Sequence, residues 1–186
     1  MGHFELPENQ LIGAEFFPAF RTFASLFTFF LMPSRHLLTR KRVALVAHDH
    51  KKTEIIEWAL RNREELVRHE LYATGTTGRL IEETLATPVT KLLSGPLGGD
   101  QQIGAMIAEE KLDAIIFFWD PMESQPHDPD VKALLRLAVV WNIPMACNRA
   151  TADFLLSSPW MNSEYDSQIT DYSTYLKRQV GSTLRE

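Results

Sequence analysis

The 186-residue chain contains a single cysteine, Cys147. That excludes an internal disulfide and a cysteine-based zinc site, and it fits a reducing compartment. Excess positive charge is missing as well. Nineteen Lys and Arg stand against 24 Asp and Glu, a formal net charge of −5, so the basic footprint of a nucleic-acid binder is absent. A local field can still attract a small anion. The chain also lacks an uncharged apolar run of the roughly 20 residues that a membrane span needs. Its Phe- and Leu-rich stretch from Ala14 to Met32 is interrupted by Glu15, Pro18 and Arg21. The extreme N-terminus carries no Lys or Arg, and no small-residue cleavage site follows, so a secretory signal fits poorly. No glycine-rich loop ends in Gly-Lys-Ser/Thr, which argues against a nucleotide. No serine sits in a nucleophile elbow, and no two histidines show metal-ligand spacing with a third ligand. No catalytic metal is expected.

What is present is an ordinary globular composition, 45% hydrophobic and 23% charged, enough to bury one real core. The first forty residues read differently from the rest. Residues 1–40 are expected to form an extension, poorly ordered or an amphipathic surface helix, with the functional domain at 41–186. A start of translation at Met32 is another reading, since Met32-Pro-Ser-Arg leads directly toward the first strand.

From residue 42 onward, strand-length apolar runs alternate with helical patterns. The predicted strands are 43–47, 71–74, 89–93, 114–119 and 144–146. The predicted helices are 54–69, a segment through 80–85, 101–111, 131–141, one beginning at 152, and one in the tail from Asp171. Residues 161–170 read as loop or short strand. Such alternation means βαβ units and a parallel α/β sheet. In an open sheet of this kind, ligands bind outside the carboxyl ends of the strands.

The polar groups that follow those strands are therefore the candidate site. His48-Asp49-His50-Lys51-Lys52 follows the first. Lysines in a first helical turn oppose the helix dipole, and a bound anion would offset that; Asp49 could equally be an N-cap. Thr74-Gly-Thr-Thr-Gly78 follows the second. Hydroxyls and amides at a helix start bind phosphate, although Thr76 or Thr77 could simply cap the helix. Ser94-Gly-Pro-Leu-Gly-Gly-Asp100-Gln-Gln follows the third. Its paired glycines allow a close backbone approach, and Asp100 is either an N-cap or a general base at a positive helix end. Asp120-Pro121 and His127-Asp-Pro-Asp130 follow the fourth. Asp128 with Pro129 suits a helix start, which leaves His127 as the residue with no structural excuse. Together these groups suit a small phosphorylated carbonyl compound.

The motifs also carry a resemblance. From about Arg42 to Lys177 the chain resembles methylglyoxal synthases, through residues 46–50, 72–78, 94–102, 117–121 and 126–136, continuing into Trp141-Asn-Ile-Pro144 and Ala150-Thr-Ala-Asp-Phe154. The resemblance implies a single three-layer flavodoxin-like (Rossmann-like) domain, with a central five-stranded parallel sheet and helices on both faces. It also implies a cytoplasmic homohexamer sensitive to inorganic phosphate. Its reaction would convert dihydroxyacetone phosphate to methylglyoxal and phosphate without metal or cofactor. Carried onto this sequence, Asp100 becomes the catalytic base. The phosphate falls to Lys52, Thr74, Gly75, Thr76, Thr77, Ser94 and Gly95. His48 and His127 contact the substrate's oxygens, and Asp49, Asp120 and Asp130 are supporting carboxylates, with Asp120 and Asp130 orienting the histidines. Two segments depart from the family pattern: the first forty residues, and the C-terminal Lys177-Arg178-Gln179, where an arginine linked to subunit communication has no clear register. A non-catalytic effector module, like the regulatory domain of carbamoyl phosphate synthetase, is one rival. A sugar-phosphate isomerase is another. The presence of both Asp100 and His127 favours the lyase.

Overall fold

The computed structural model describes residues 33–122 and 128–173, excluding the side chains of 128–130. Strand β1 (Ser34–Leu37) opens the described chain and β2 (Arg42–Ala47) follows it. A 3-10 turn (Asp49–Lys51) leads into helix α1 (Lys52–Arg61) and a short α2 (Arg63–Leu66). Then come β3 (Glu70–Thr74), α3 (Gly75–Leu85), β4 (Val89–Leu92), a 3-10 turn (Gly95–Leu97), α4 (Gly99–Ala108) and β5 (Ala114–Phe118). Helix α5 (Asp128–Val140), β6 (Met145–Ala146), α6 (Arg149–Ser157) and β7 (Tyr165–Gln168) complete it.

Five strands form one sheet in the order β4-β3-β2-β5-β6, each neighbouring pair parallel. Numbered along the chain, that order is 3-2-1-4-5. Of the two topologies expected together, it is the Rossmann type; the flavodoxin order is 2-1-3-4-5. The chain moves outward from β2 through β3 to β4, then returns to β5 beside β2 and moves the other way. With crossovers of one hand, the two directions place their helices on opposite faces. The core divides accordingly. Val43 and Leu45 of β2 and Ile116 and Phe118 of β5 pack with Ile55 and Trp58 of α1, Ile81 and Leu85 of α3, and Ala152 and Leu156 of α6. Ala44 and Val46, with Ile115 and Phe117, pack on the other side with Ile103 and Ile107 of α4 and Val131 and Leu134 of α5. Alternate residues of one strand thus feed two cores, which is why β5 reads as a continuous apolar run.

The helix expected over 54–69 starts earlier and is interrupted. The Asn62 side-chain amide donates to the Trp58 carbonyl at 2.9 Å, a local bond that competes with the helical ladder. The described unit also begins before residue 41. Residues 33–40, read from sequence as part of the extension, include β1, which pairs antiparallel with β7. Residues 1–32 lie outside the described residues, as does the tail helix beyond Ser173.

The small β1–β7 sheet is tied to the amino edge of the main sheet by a buried ionic cluster. Asp113, immediately before β5 and 4% exposed, accepts from the Arg35 guanidinium, from Arg42 Nη2 at 2.8 Å and from the Arg42 main-chain amide at 2.7 Å. Arg35 also donates to the Glu110 carbonyl at 3.0 Å. Removing one partner of such a cluster strands the others in low dielectric. Asp113→Ala is therefore expected to lower the free energy of unfolding by about 3–5 kcal/mol, read from urea denaturation. A loss under ~1 kcal/mol would show that water already screens the cluster.

His69 lies buried beside Lys41, whose main-chain amide donates to its Nδ1 at 3.3 Å. Burial, and then the Lys41 charge, hold this imidazole below its ordinary value. A group depressed in the folded state stabilises fully above its unfolded pKa of about 6.5 and loses that contribution as pH falls toward the folded value. The unfolding free energy is thus expected to decline from pH 7 to pH 5 more steeply for the native chain than for His69→Asn. Parallel pH profiles would remove His69 from the acid response.

Candidate active site

The site stands on the carboxyl ends of β2, β3 and β4, at the edge of the sheet opposite the ionic cluster. At β2, the His48 amide donates to the Phe118 carbonyl at 3.2 Å, prolonging the β2–β5 contact by one residue. The ring is 7% exposed and meets Phe117 edge-on, with centroids 5.1 Å apart. Its Nδ1 accepts the Asp120 main-chain amide at 3.4 Å, so in the neutral ring the proton sits on Nε2, a donor. Sequence assigned a supporting role to the Asp120 carboxylate. That carboxylate accepts from the Met122 amide at 3.1 Å, closing its own turn, and the main-chain amide of Asp120 meets His48. His50 faces solvent.

Lys52 is the first residue of α1, and its Nζ lies 2.5 Å from Asp49 Oδ1. Lys51 pairs with Glu54 at 3.0 Å. The Lys52 ammonium holds the Asp49 carboxyl below the usual carboxylate range, mainly by its hydrogen bond. The lysines that sequence took as a sign of a bound anion are thus answered in part by the chain's own carboxylates. Asp49 is not an N-cap either; His48 holds that place, before the 3-10 turn.

At β3, Thr74 rather than Thr76 or Thr77 is the N-cap of α3, in extended conformation and without a side-chain capping bond. Gly75 follows with φ +48°, and its amide donates to the Leu93 carbonyl at 3.2 Å. A Cβ on Gly75 would stand 3.0 Å from Ser94 Cβ, so both backbone and space require glycine. Thr74 and Thr77 are buried, and Thr76 is exposed. The first amides of this 11-residue helix lack helical acceptors and carry its positive end.

At β4, the Ser94 carbonyl accepts the amides of Leu97 and Gly99, both at 2.9 Å. Gly98 takes φ +99° and caps α4. A Cβ on Gly99 would fall 2.1 Å from the Leu93 carbonyl oxygen. Asp100 comes next, 6% exposed, inside the first turn of α4 rather than at its N-cap.

These loops enclose a cavity of about 260 Å³, below the ~300–1,000 Å³ of drug-sized sites. His48, Asp49, Lys52, Thr74, Gly75, Thr76, Thr77, Ser94 and Gly95 line it, together with Val46, Ala47 and Pro96. Every residue that the sequence assigned to a phosphate cradle therefore lines the cavity, whereas Asp100, in the first turn of the helix that follows, is not among its lining residues. His127 and the Asp130 side chain lie outside the described residues, although α5 starts at Asp128. Among the described residues, no group of three His, Cys, Asp or Glu is arranged to hold a metal ion. Cys147 follows β6, and burial pushes its thiol up from the ordinary value, away from nucleophilic use. Sequence reasoning missed the Asp120 amide, because a main-chain donor leaves no signature in residue identity. It also missed Val46, Ala47 and Pro96, which contribute shape.

Because the Gly99 contact is with backbone, Gly99→Ala is expected to destabilise the fold by about 1–3 kcal/mol. Gly104→Ala, where a Cβ would meet only side-chain tips, Leu137 at 3.1 Å and Leu134 at 3.8 Å, serves as the comparison. Equal denaturation midpoints for the two variants would show that the Ser94–Gly99 loop gives way freely.

The comparisons with known proteins agree with this geometry. A family model described as "MGS-like domain" matches residues 54–147. Methylglyoxal synthase of Proteus mirabilis (strain HI4320) is 60% identical over 146 residues, which cover 78% of this chain and 96% of the relative. That of Coxiella burnetii (strain RSA 493 / Nine Mile phase I) is 58% identical over 143 residues, 77% of this chain and 100% of the relative. The crystal structure of methylglyoxal synthase from Elizabethkingia anophelis NUHP1 matches with a TM-score of 0.76 at 59% identity, over 81% of this chain and 99% of that one. The chain belongs to the methylglyoxal synthase family.

Proposed function

We propose that the protein is a carbon–oxygen lyase that converts dihydroxyacetone phosphate (glycerone phosphate) to methylglyoxal and inorganic phosphate. One observation carries the reading. In a chain 60% identical to a methylglyoxal synthase, Lys52, the Thr74–Thr77 turn and the Ser94–Gly95 turn meet on one small cavity, with a buried carboxylate on the adjoining helix.

The phosphate dianion sits against the amides at the start of α3, the threonine hydroxyls, the Ser94–Gly95 turn and the Lys52 ammonium. Amides at a helix end are fixed dipoles and need no reorganisation as charge develops on the leaving group. Asp100 removes a proton from C3, which neighbours the C2 carbonyl. The N-terminal end of α4 favours the negative charge that this base needs. His48, whose Nδ1 accepts the Asp120 amide and whose neutral ring therefore carries its proton on Nε2, and His127 hydrogen-bond the oxygens of the enediolate. With loss of the C3 hydroxyl proton, the electron pair flows through the enediolate and breaks the C1–O bond. Phosphate departs, and the enol left behind takes a proton at C1 to become methylglyoxal. Elimination requires the C1–O bond to stand perpendicular to the enediolate plane. The cradle therefore sets a torsion as well as binding charge. Asp49, Asp120 and Asp130 act as supporting carboxylates, Asp49 through Lys52.

The protein works as a cytoplasmic homohexamer whose product phosphate competes for the substrate's cradle, without metal, organic cofactor, nucleic acid or membrane. The net charge of −5 supports only the reading that nucleic acid is not a partner.

Purified protein incubated with dihydroxyacetone phosphate is expected to release methylglyoxal and phosphate in equal amounts. Glyceraldehyde phosphate as the product would instead identify an isomerase, and no product an effector module. Asp100→Asn is expected to retain fold and phosphate affinity while kcat falls by about 10²–10⁴, the usual contribution of a positioned base. Unchanged turnover would falsify the assignment.

A further inference from the structure

Gln102 lies in the first turn of α4, two residues beyond Asp100. Its side-chain Oε1 accepts the Leu93 amide at 2.8 Å. Leu93 follows β4, and the β3–β4 register ends one residue earlier, at Thr74 with Leu92. The sheet therefore no longer supplies that amide with a partner, and the glutamine does. On its other side, the Leu93 carbonyl accepts the Gly75 amide at 3.2 Å. One residue is thus held from α4 through its amide and from α3 through its carbonyl. The next residue is Ser94, on the cavity wall.

We infer that Gln102 is a positioning residue, whose side chain sets the Ser94–Gly95 turn against the Gly75–Thr77 turn so that both reach one phosphate group. The inference rests on the reading of the cavity as the phosphate cradle of dihydroxyacetone phosphate.

The chemistry of the amide suits the task. A glutamine carbonyl accepts a hydrogen bond without placing a negative charge beside a dianion, which a carboxylate in the same position would do. The base is held separately. Asp100 is fixed by the Gly99–Ser94 bond and by the burial of Ile103 and Ile107 one and two turns along the helix. Loss of the glutamine bond should therefore loosen the grip on phosphate more than the proton transfer.

The test compares Gln102→Met, which keeps length and loses the strong acceptor, with Gln101→Met as a neighbouring control. Direct binding of inorganic phosphate is measured by calorimetry, alongside KM and kcat for dihydroxyacetone phosphate and the thermal midpoint. In Gln102→Met, phosphate affinity is expected to fall about threefold to tenfold, the range that one lost hydrogen bond supports. KM should rise by a similar factor, kcat should change less, and the thermal midpoint should stay near that of the native chain. Gln101→Met should match the native protein throughout. Native phosphate affinity in Gln102→Met, or the same loss in both variants, would overturn the inference while leaving the lyase reading intact. If the native protein makes no methylglyoxal, the lyase reading fails by itself, and phosphate affinity still decides the role of Gln102.

Discussion

The site depends on one backbone contact. The Gly99 main chain lies so close to the Leu93 carbonyl that a methyl group there would overlap it, and its amide closes on the Ser94 carbonyl at 2.9 Å. That contact ends a serine-bearing loop and starts a helix within two residues. Ser94 consequently faces the cavity, and Asp100 is buried in the first turn of α4. A side chain on residue 99 would push the helix start away from β4. Movements of about 1 Å at a reacting group can cost a hundredfold in rate, so this packing constraint is also a chemical one.

The two edges of the sheet solve opposite electrostatic problems. At the amino edge, the Asp113 carboxylate is held between the chain's own Arg35 and Arg42 guanidiniums. At the carboxyl edge, α1, α3 and α4 present their positive ends, and Lys52 stands among them. The parallel sheet produces this asymmetry automatically: every strand runs the same way, so helix starts gather on one side. The topology concentrates a field for an anion; the glycines let backbone reach it.

Most of this was legible in the sequence, and the exceptions have physical causes. The buried strands β2 and β5 announce themselves as apolar runs because both of their faces are covered. The glycine, threonine and lysine residues of the cradle were legible because each follows such a run. The β1–β7 pair was not. Ser-Arg-His-Leu and Tyr-Asp-Ser-Gln are four residues each with one face solvated, and their partner lies about 130 residues away in sequence. Caps were misplaced for another reason. Thr74, Thr76 and Thr77 are the same residue type, so the boundary of α3 rests on the Gly75 dihedral, which composition does not reveal. The amide of Asp120 that holds His48, and the carbonyl of Leu93 that holds Gly75, belong to the main chain. Any residue type could have supplied them.

The pairing of Lys52 bears on how the proposed phosphate cradle could use that side chain. Lys52 is held by Asp49 at 2.5 Å, and that carboxylate is 81% exposed. Exposed pairs of this kind are worth roughly 0–1 kcal/mol, because water competes for both ions. On the reading proposed above, a phosphate dianion would offer Lys52 a doubly charged partner, in a cavity that also presents the Thr74–Thr77 and Ser94–Gly95 turns. Charge-assisted bonds there are about twice as strong as neutral ones. Under that proposal the exchange would run toward phosphate while leaving Asp49 in solvent, where its charge is screened. A weak internal partner thus keeps the ammonium at the mouth of the cradle without competing seriously for the ligand. A buried carboxylate in the same place would have held the lysine too tightly for phosphate to claim it.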